Sequence, residues 1–190
     1  MIARQNDARP DLDAWLPRAG LCVSHRRQST AAPDELWHSA RSVRLRDTRL
    51  LGRLVRWRIP GTPADTTFDA LFRDAPFAVL EEGELSLLSG IVGRIWTLRR
   101  DYPQLTSAAE FRDWSEPGTA RVLFANWVEE LPAGGSVLRS ETRVEPFGAQ
   151  GRIGLAGVRP LIRAFQQLIG TDAMGVAVRS AEAGSPRPAP

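Results

Sequence analysis

Two stretches read most clearly as strands by their alternation of apolar and polar residues, residues 119–131 and 136–145. Pro132-Ala133-Gly134-Gly135 lies between them, so the pattern predicts a β-hairpin. Residues 21–29 read as an earlier strand, and residues 77–82, 84–90 and 91–98 as three more, with Gly83 offering the positive φ of a tight reversal. Helical spacing takes over elsewhere. Asp34, Glu35, Leu36, Trp37 and Ala40 make a short amphipathic helix entered at Pro33, with acids in its first turn. Residues 47–57 put Leu50, Leu51, Leu54 and Val55 on one stripe, closed by Pro60, Gly61 and Pro63. Residues 108–114 form a short helix or turn that Pro117-Gly118 stops. From Val158 on, Leu161, Ile162, Phe165, Leu168 and Ile169 keep a 3-4 spacing. After Gly170, Thr171-Asp172 caps a second piece carrying Met174, Val176 and Val178. A strand, two helices, a run of strands and a final helix make an α+β arrangement rather than alternating βαβ units.

Composition narrows the class. A chain of 190 residues with 43% apolar content suits one domain with a full core. Residues 1–20 are polar and contain prolines, and residues 184–190 read Gly-Ser-Pro-Arg-Pro-Ala-Pro, so both are expected as tails around a domain spanning residues 21–183. All 25 basic residues are arginine, against 22 acids, and the net charge of +3 is too weak to argue a nucleic-acid partner. Cys22 stands alone, which excludes an intramolecular disulfide and a thiolate cluster. With no secretory pattern and no run of eighteen apolar residues, the expectation is a cytoplasmic protein without a membrane span.

Four local features resemble one superfamily. Ala31-Ala32-Pro33-Asp34-Glu35-Leu36-Trp37 looks like a strand-end Ala-Pro followed by a helix whose tryptophan faces the core. Gly90-Ile91-Val92-Gly93-Arg94-Ile95-Trp96 resembles a mid-sheet segment, and Ser140-Glu141-Thr142-Arg143-Val144 a penultimate strand. The terminal helix stands where a gripping helix would. Together they resemble an uncharacterised bacterial branch of the START-like or SRPBCC superfamily, which includes birch-pollen-allergen-like proteins and polyketide cyclases. Over residues 21–182 the resemblance implies a helix-grip fold, a curved antiparallel sheet around a long C-terminal helix with an apolar cavity between them. Its motifs are structural and none is catalytic. Gly148, Gly151, Gly154, Gly157 and Pro160 depart from the family's continuous charged helix start.

Strand parity then selects candidate cavity residues. Ala120, Val122, Phe124, Asn126 and Val128 share the more apolar face of one strand; Leu138, Ser140, Thr142 and Val144 share that of the next, while most charges sort to the other sides. Asn126 is the sharpest candidate, because an amide on an apolar face must find a partner or cost roughly 1–3 kcal/mol. A ligand carbonyl or hydroxyl would serve, as would Ser140, Thr142 or a buried water. Trp96, Trp127, Trp37 and Trp57 either stack on a planar ligand or fill core volume. The residues expected to line a ligand site are therefore Trp96, Phe124, Asn126, Leu138, Ser140, Thr142 and Phe165.

Reactive groups are sparse. His25 and His38 are the only histidines, so a His-rich metal centre is excluded, and no motif calls for a cofactor. His25, on the face of Leu21 and Val23, is a weak candidate for a general base, while Glu81, Glu82 and Glu84 read as a solvated turn. Arg41, Arg44, Arg46, Arg49, Arg53, Arg56 and Arg58 oppose one acid, Asp47, a basic helix suited to transient contact with an anionic membrane surface or an acidic carrier protein. The expected function is binding, for sequestration or transfer, of a hydrophobic or aromatic small molecule. The alternatives are a cyclase, aromatase or dehydratase acting on a polyketide-like substrate, and an interaction module built on the arginine-rich segment.

Overall fold

The computed structural model describes residues 9–97 and 102–184. In chain order the elements are α1 (Leu12–Trp15), β1 (Leu21–Ser29), α2 (Pro33–Ser42), a 3-10 turn (Leu45–Asp47), α3 (Leu51–Arg58), α4 (Phe68–Arg73), β2 (Ala78–Gly83), β3 (Ser86–Gly93), α5 (Ala108–Asp113), β4 (Ala120–Glu130), β5 (Ser136–Pro146) and α6 (Gly148–Leu168). A π-helical turn at Ile169–Ala173 then carries α6 into α7 (Met174–Gly184). The five strands form one antiparallel sheet in the order β1-β5-β4-β3-β2, with the long C-terminal helix laid across it. This is the α+β, helix-grip arrangement the element order predicts.

The hairpin forms as its glycines require. Gly134 and Gly135 adopt φ of 90° and 78° and connect β4 to β5. The resulting register sets Val122 opposite Val144, Phe124 opposite Thr142, Asn126 opposite Ser140 and Val128 opposite Leu138, so the inner faces of both strands coincide. The strand before them differs from the expectation. Residues 84–90 and 91–98 are not two strands: β3 runs unbroken through Gly90, where a Cβ would stand 2.7 Å from the Phe111 ring. Gly83 lies inside β2 without a positive φ, and Glu84-Leu85 make the turn. Leu98 lies outside the described residues.

The N-terminal segment expected as a tail is structured where it is described. Asp11 accepts hydrogen bonds from the N–H groups of Asp13 and Ala14, both at 3.1 Å, and starts α1. Leu12, Trp15 and Leu16 are buried with Leu88, Val92, Phe111, Leu123, Ala125 and Trp127, so α1 and α5 cover the outer face of the sheet. Polarity alone concealed this, because a single turn with three apolar residues barely changes the average over twenty. Trp15 donates its indole N–H to Glu81 at 2.7 Å, and the Arg112 guanidinium lies 3.9 Å over its ring. Arg121, also on this face, is buried, pairs with Glu145 and donates to the backbone carbonyls of Phe111 and Arg112. Of the expected C-terminal tail, Gly184 ends α7 and residues 185–190 lie outside the described residues.

On the inner face α6 begins at Gly148, ten residues before Val158. Glycine costs about 1 kcal/mol and proline about 3 kcal/mol inside a helix, which is why propensity places the onset too late. Packing overrides it: a Cβ on Gly154 would lie 2.3 Å from the Trp96 ring, and Gly151 packs against the Thr119 carbonyl and Pro146. The expected helix over residues 47–57 is also corrected. It divides into the 3-10 turn and the eight-residue α3, and Asp172, expected to cap its own helix, instead accepts from the N–H groups of Leu50 (2.9 Å) and Leu51 (3.3 Å) at the start of α3.

Trp15→Ala is expected to destabilise the protein by about 3–5 kcal/mol, read as a fall in the urea midpoint; a change under about 1 kcal/mol would show that the outer cover is not part of the cooperative unit. Burial would raise the Asp172 carboxyl, but hydrogen bonds from the backbone of Arg49, Leu50 and Leu51 outweigh it and leave it below its ordinary value. A depressed folded value stabilises above the unfolded pKa of about 4, and that stabilisation fades as pH falls through the folded value. Asp172→Ala should therefore cost about 0.5–2 kcal/mol at neutral pH. The gap between variant and wild type should narrow below about pH 4, as urea titrations at several pH values would reveal.

Candidate functional site

The C-terminal helix seats on the sheet at two separated places. Near its start Leu155 is buried with Leu21, Ile91, Val122 and Val144; beyond Gln166, Ile169, Ala173, Met174 and Ala177 are buried with Leu87, Val128 and Leu138. Phe77 and Phe124 pack against both clusters. Between the two seats Val158, Ile162 and Phe165 are only half-buried, and beneath them lies a cavity of about 180 Å³. Its walls come from α3, α4, β3, β4, β5 and α6. Phe68, Phe72, Phe77 and Phe124 form a linked ring cluster along one side, with centroids 5.4 to 6.4 Å apart. Trp57 and Leu161, 57% and 52% exposed, mark the mouth.

Few polar groups interrupt this lining. Gln166 is fully buried on α6 in the middle of the apolar stripe, and its Nε2 donates to the Thr142 hydroxyl on β5. Its Oε1 is buried with no hydrogen-bond partner among the described residues. Whichever way the amide is turned, Thr142 meets only one of its two ends. Nearer the mouth, Arg58 ends α3, and its Nη2 donates to the Thr97 carbonyl at 3.0 Å and to the Tyr102 hydroxyl. The guanidinium carbon lies 5.4 Å over the Tyr102 ring, while Nη1 is buried without a partner among the described residues.

The expected ligand residues divide among several places. Phe124, Thr142 and Phe165 line the cavity. Asn126 and Leu138 lie farther along the same faces and border a smaller space of about 50 Å³ beside Trp37, Phe72 and Met174. Ser140 is buried opposite Asn126 on one side and His25 on the other, away from the large cavity. Trp96 packs against Gly154 at the near seat. His25 lies against Gly170 in the π-helical turn, where burial holds its imidazole below the ordinary value, and it is not in the cavity wall. Of the acidic turn, Glu81 accepts from Trp15 and Glu82 pairs with Arg73.

Gln166 and Arg58 were not among the expected site residues. Gln166 was legible in principle, since it falls between Ile162, Phe165 and Ile169 on a buried helical face. Arg58 carried no such mark among seven neighbouring arginines. The structure separates them: Arg41 pairs with Asp69 and Arg46 with Asp65, while no ion pair of Arg49, Arg53, Arg56 or Arg58 occurs among the described residues.

No helix among the described residues is long and apolar enough to cross a membrane. No family model matches the chain, and no curated protein is similar to it. Among solved structures, protein MLL2253 from Mesorhizobium loti is similar at 16% identity with a TM-score of 0.37, over 84% of this chain and 98% of that one. The hypothetical protein jhp0584 from Helicobacter pylori is similar at 11% identity with a TM-score of 0.41, over 95% and 99% of the two chains. Both likenesses are too low in score to bear on function.

Proposed function

We propose that this protein binds an apolar small molecule carrying one hydrogen-bonding group, and sequesters it or hands it on, within the cavity beneath α6. The observation that carries this reading is the half-satisfied Gln166 amide, fully buried in an otherwise apolar wall. Leaving such a group unpaired costs about 1–3 kcal/mol. Apolar walls left unfilled forfeit packing contacts as well, against total stabilities of about 5–15 kcal/mol. A water needs two to four polar partners, which this wall barely offers. A ligand hydroxyl or carbonyl on an apolar body meets the amide and fills the space together. Cavities of about 150 Å³ already accept a benzene ring.

A cyclase-like enzyme is supported less, because it needs an acid or base at the ligand. Among the described residues the lining offers no histidine or carboxylate, and His25 lies elsewhere. A second reading, contact with an anionic lipid surface, is favoured by α3: its Trp57 is exposed, and its Arg53 and Arg56 have no ion pair among the described residues. Interfacial tryptophan and clustered arginine suit a headgroup layer.

Native mass spectrometry of the purified chain beside its denatured mass should show a co-purifying small molecule that is lost on unfolding. Val144→Phe, which fills the cavity from β5, should abolish that adduct while the fold persists, and Gln166→Leu should weaken it while raising the stability of the ligand-free protein by about 1 kcal/mol. An adduct unchanged in Val144→Phe would place the ligand elsewhere. In flotation assays, vesicles containing phosphatidylserine should retain the wild type and release Arg49→Glu/Arg53→Glu/Arg56→Glu, whereas equal retention of both would remove the surface-contact reading.

A further inference from the structure

We propose that the ligand of this cavity is an apolar carboxylic acid, with its carboxylate held by Arg58 near the mouth and its apolar body among the phenylalanines inside. This presupposes that the cavity is a ligand site.

Arg58 is the only charged residue among the described residues that line the cavity. Other shielded arginines of the protein meet carboxylates: Arg121 pairs with Glu145, and Arg143 pairs with Asp13 and Glu141. Among the described residues Arg58 has only neutral partners, the Thr97 carbonyl and the Tyr102 hydroxyl, and both engage Nη2. That leaves Nη1 buried and unpaired on a guanidinium whose orientation is already fixed. A cation shielded from water without a counter-charge is costly, and the charge of a bound anion removes that cost.

The number of free donors selects the anion. A phosphate monoester carries about 1.5–2 negative charges and three acceptor oxygens, which call for several cations or a cluster of N–H groups. One arginine with one unengaged Nη matches a single carboxylate. The apolar lining beyond it, chiefly Phe72, Phe77, Phe124 and Phe165, demands that the rest of the molecule be uncharged and roughly the bulk of one ring or a medium acyl chain.

The test titrates the full chain calorimetrically with 3-phenylpropanoate and octanoate, each beside the primary amide of the same skeleton, which keeps shape and removes the charge. The acids should bind at least about tenfold more tightly than their amides, as one added charge-assisted hydrogen bond predicts. Arg58→Met should abolish that preference while leaving amide affinity in place, and Arg58→Lys should restore part of it. Amides that equal the acids in the wild type would overturn the carboxylate assignment while leaving the cavity reading intact, and this comparison does not depend on any variant folding. A preference that survives in folded Arg58→Met overturns it as well. Absence of binding by both members of both pairs would overturn the cavity reading and the assignment together.

Discussion

The seating of one helix on one sheet at two places governs this structure. Leu155 fixes the near end of α6, and Ile169 with the first turns of α7 fixes the far end. A helix rises about 1.5 Å per residue, and α6 runs as one continuous helix from Gly148 to Leu168 with Pro160 inside it. Once both ends are held, the segment between them cannot follow every contour of the strands beneath. The half-buried stretch from Val158 to Phe165 is the result, and the space below it is bounded by whatever the surrounding elements supply. Four phenylalanines from α4, β4 and the loop before β2 supply one side of it.

The outer face of the same sheet shows the opposite solution. There α1 and α5 lie close, Phe111 fills the space left by Gly90, and the buried cation Arg121 is matched by Glu145 and two backbone carbonyls. Apolar groups on that side are packed, and of the Arg121 guanidinium only Nε stays without a partner among the described residues. On the inner side Gln166 and Arg58 each retain one unpaired nitrogen or oxygen. Of the buried polar atoms without partners among the described residues, those of Gln166 and Arg58 belong to residues that line the cavity.

How much of this was legible follows from the range of each sequence signal. Alternation is local, and it assigned Phe124, Thr142 and Val144 to the inner face correctly. The same parity could not say how far along the strand the cavity extends, so Asn126, one step beyond Phe124 on that face, went with its neighbours although it borders a different space. Helix onset was misplaced because Gly148 to Pro160 is a poor helical sequence by itself, rescued by contacts with Trp96 and Pro146 that only the folded chain provides. The covering turn at Leu12, Trp15 and Leu16 was too short for periodicity to register. Asp172 reads in the sequence as the cap of the nearest helix, because spacing along the chain says nothing about a helix start more than a hundred residues away.

That distance also orders events in time. β1 bonds only to β5, so residues 21–29 find their strand partner when residues 136–144 arrive. The eight residues of α3 are too few to hold a helix unaided, and their N-terminal fastening waits for residue 172. A ribosome releasing this chain from its N-terminus therefore exposes the first strand and the α3 wall of the cavity well before anything can secure them. Pairings this remote in sequence close slowly, and residues made later complete elements made well before them.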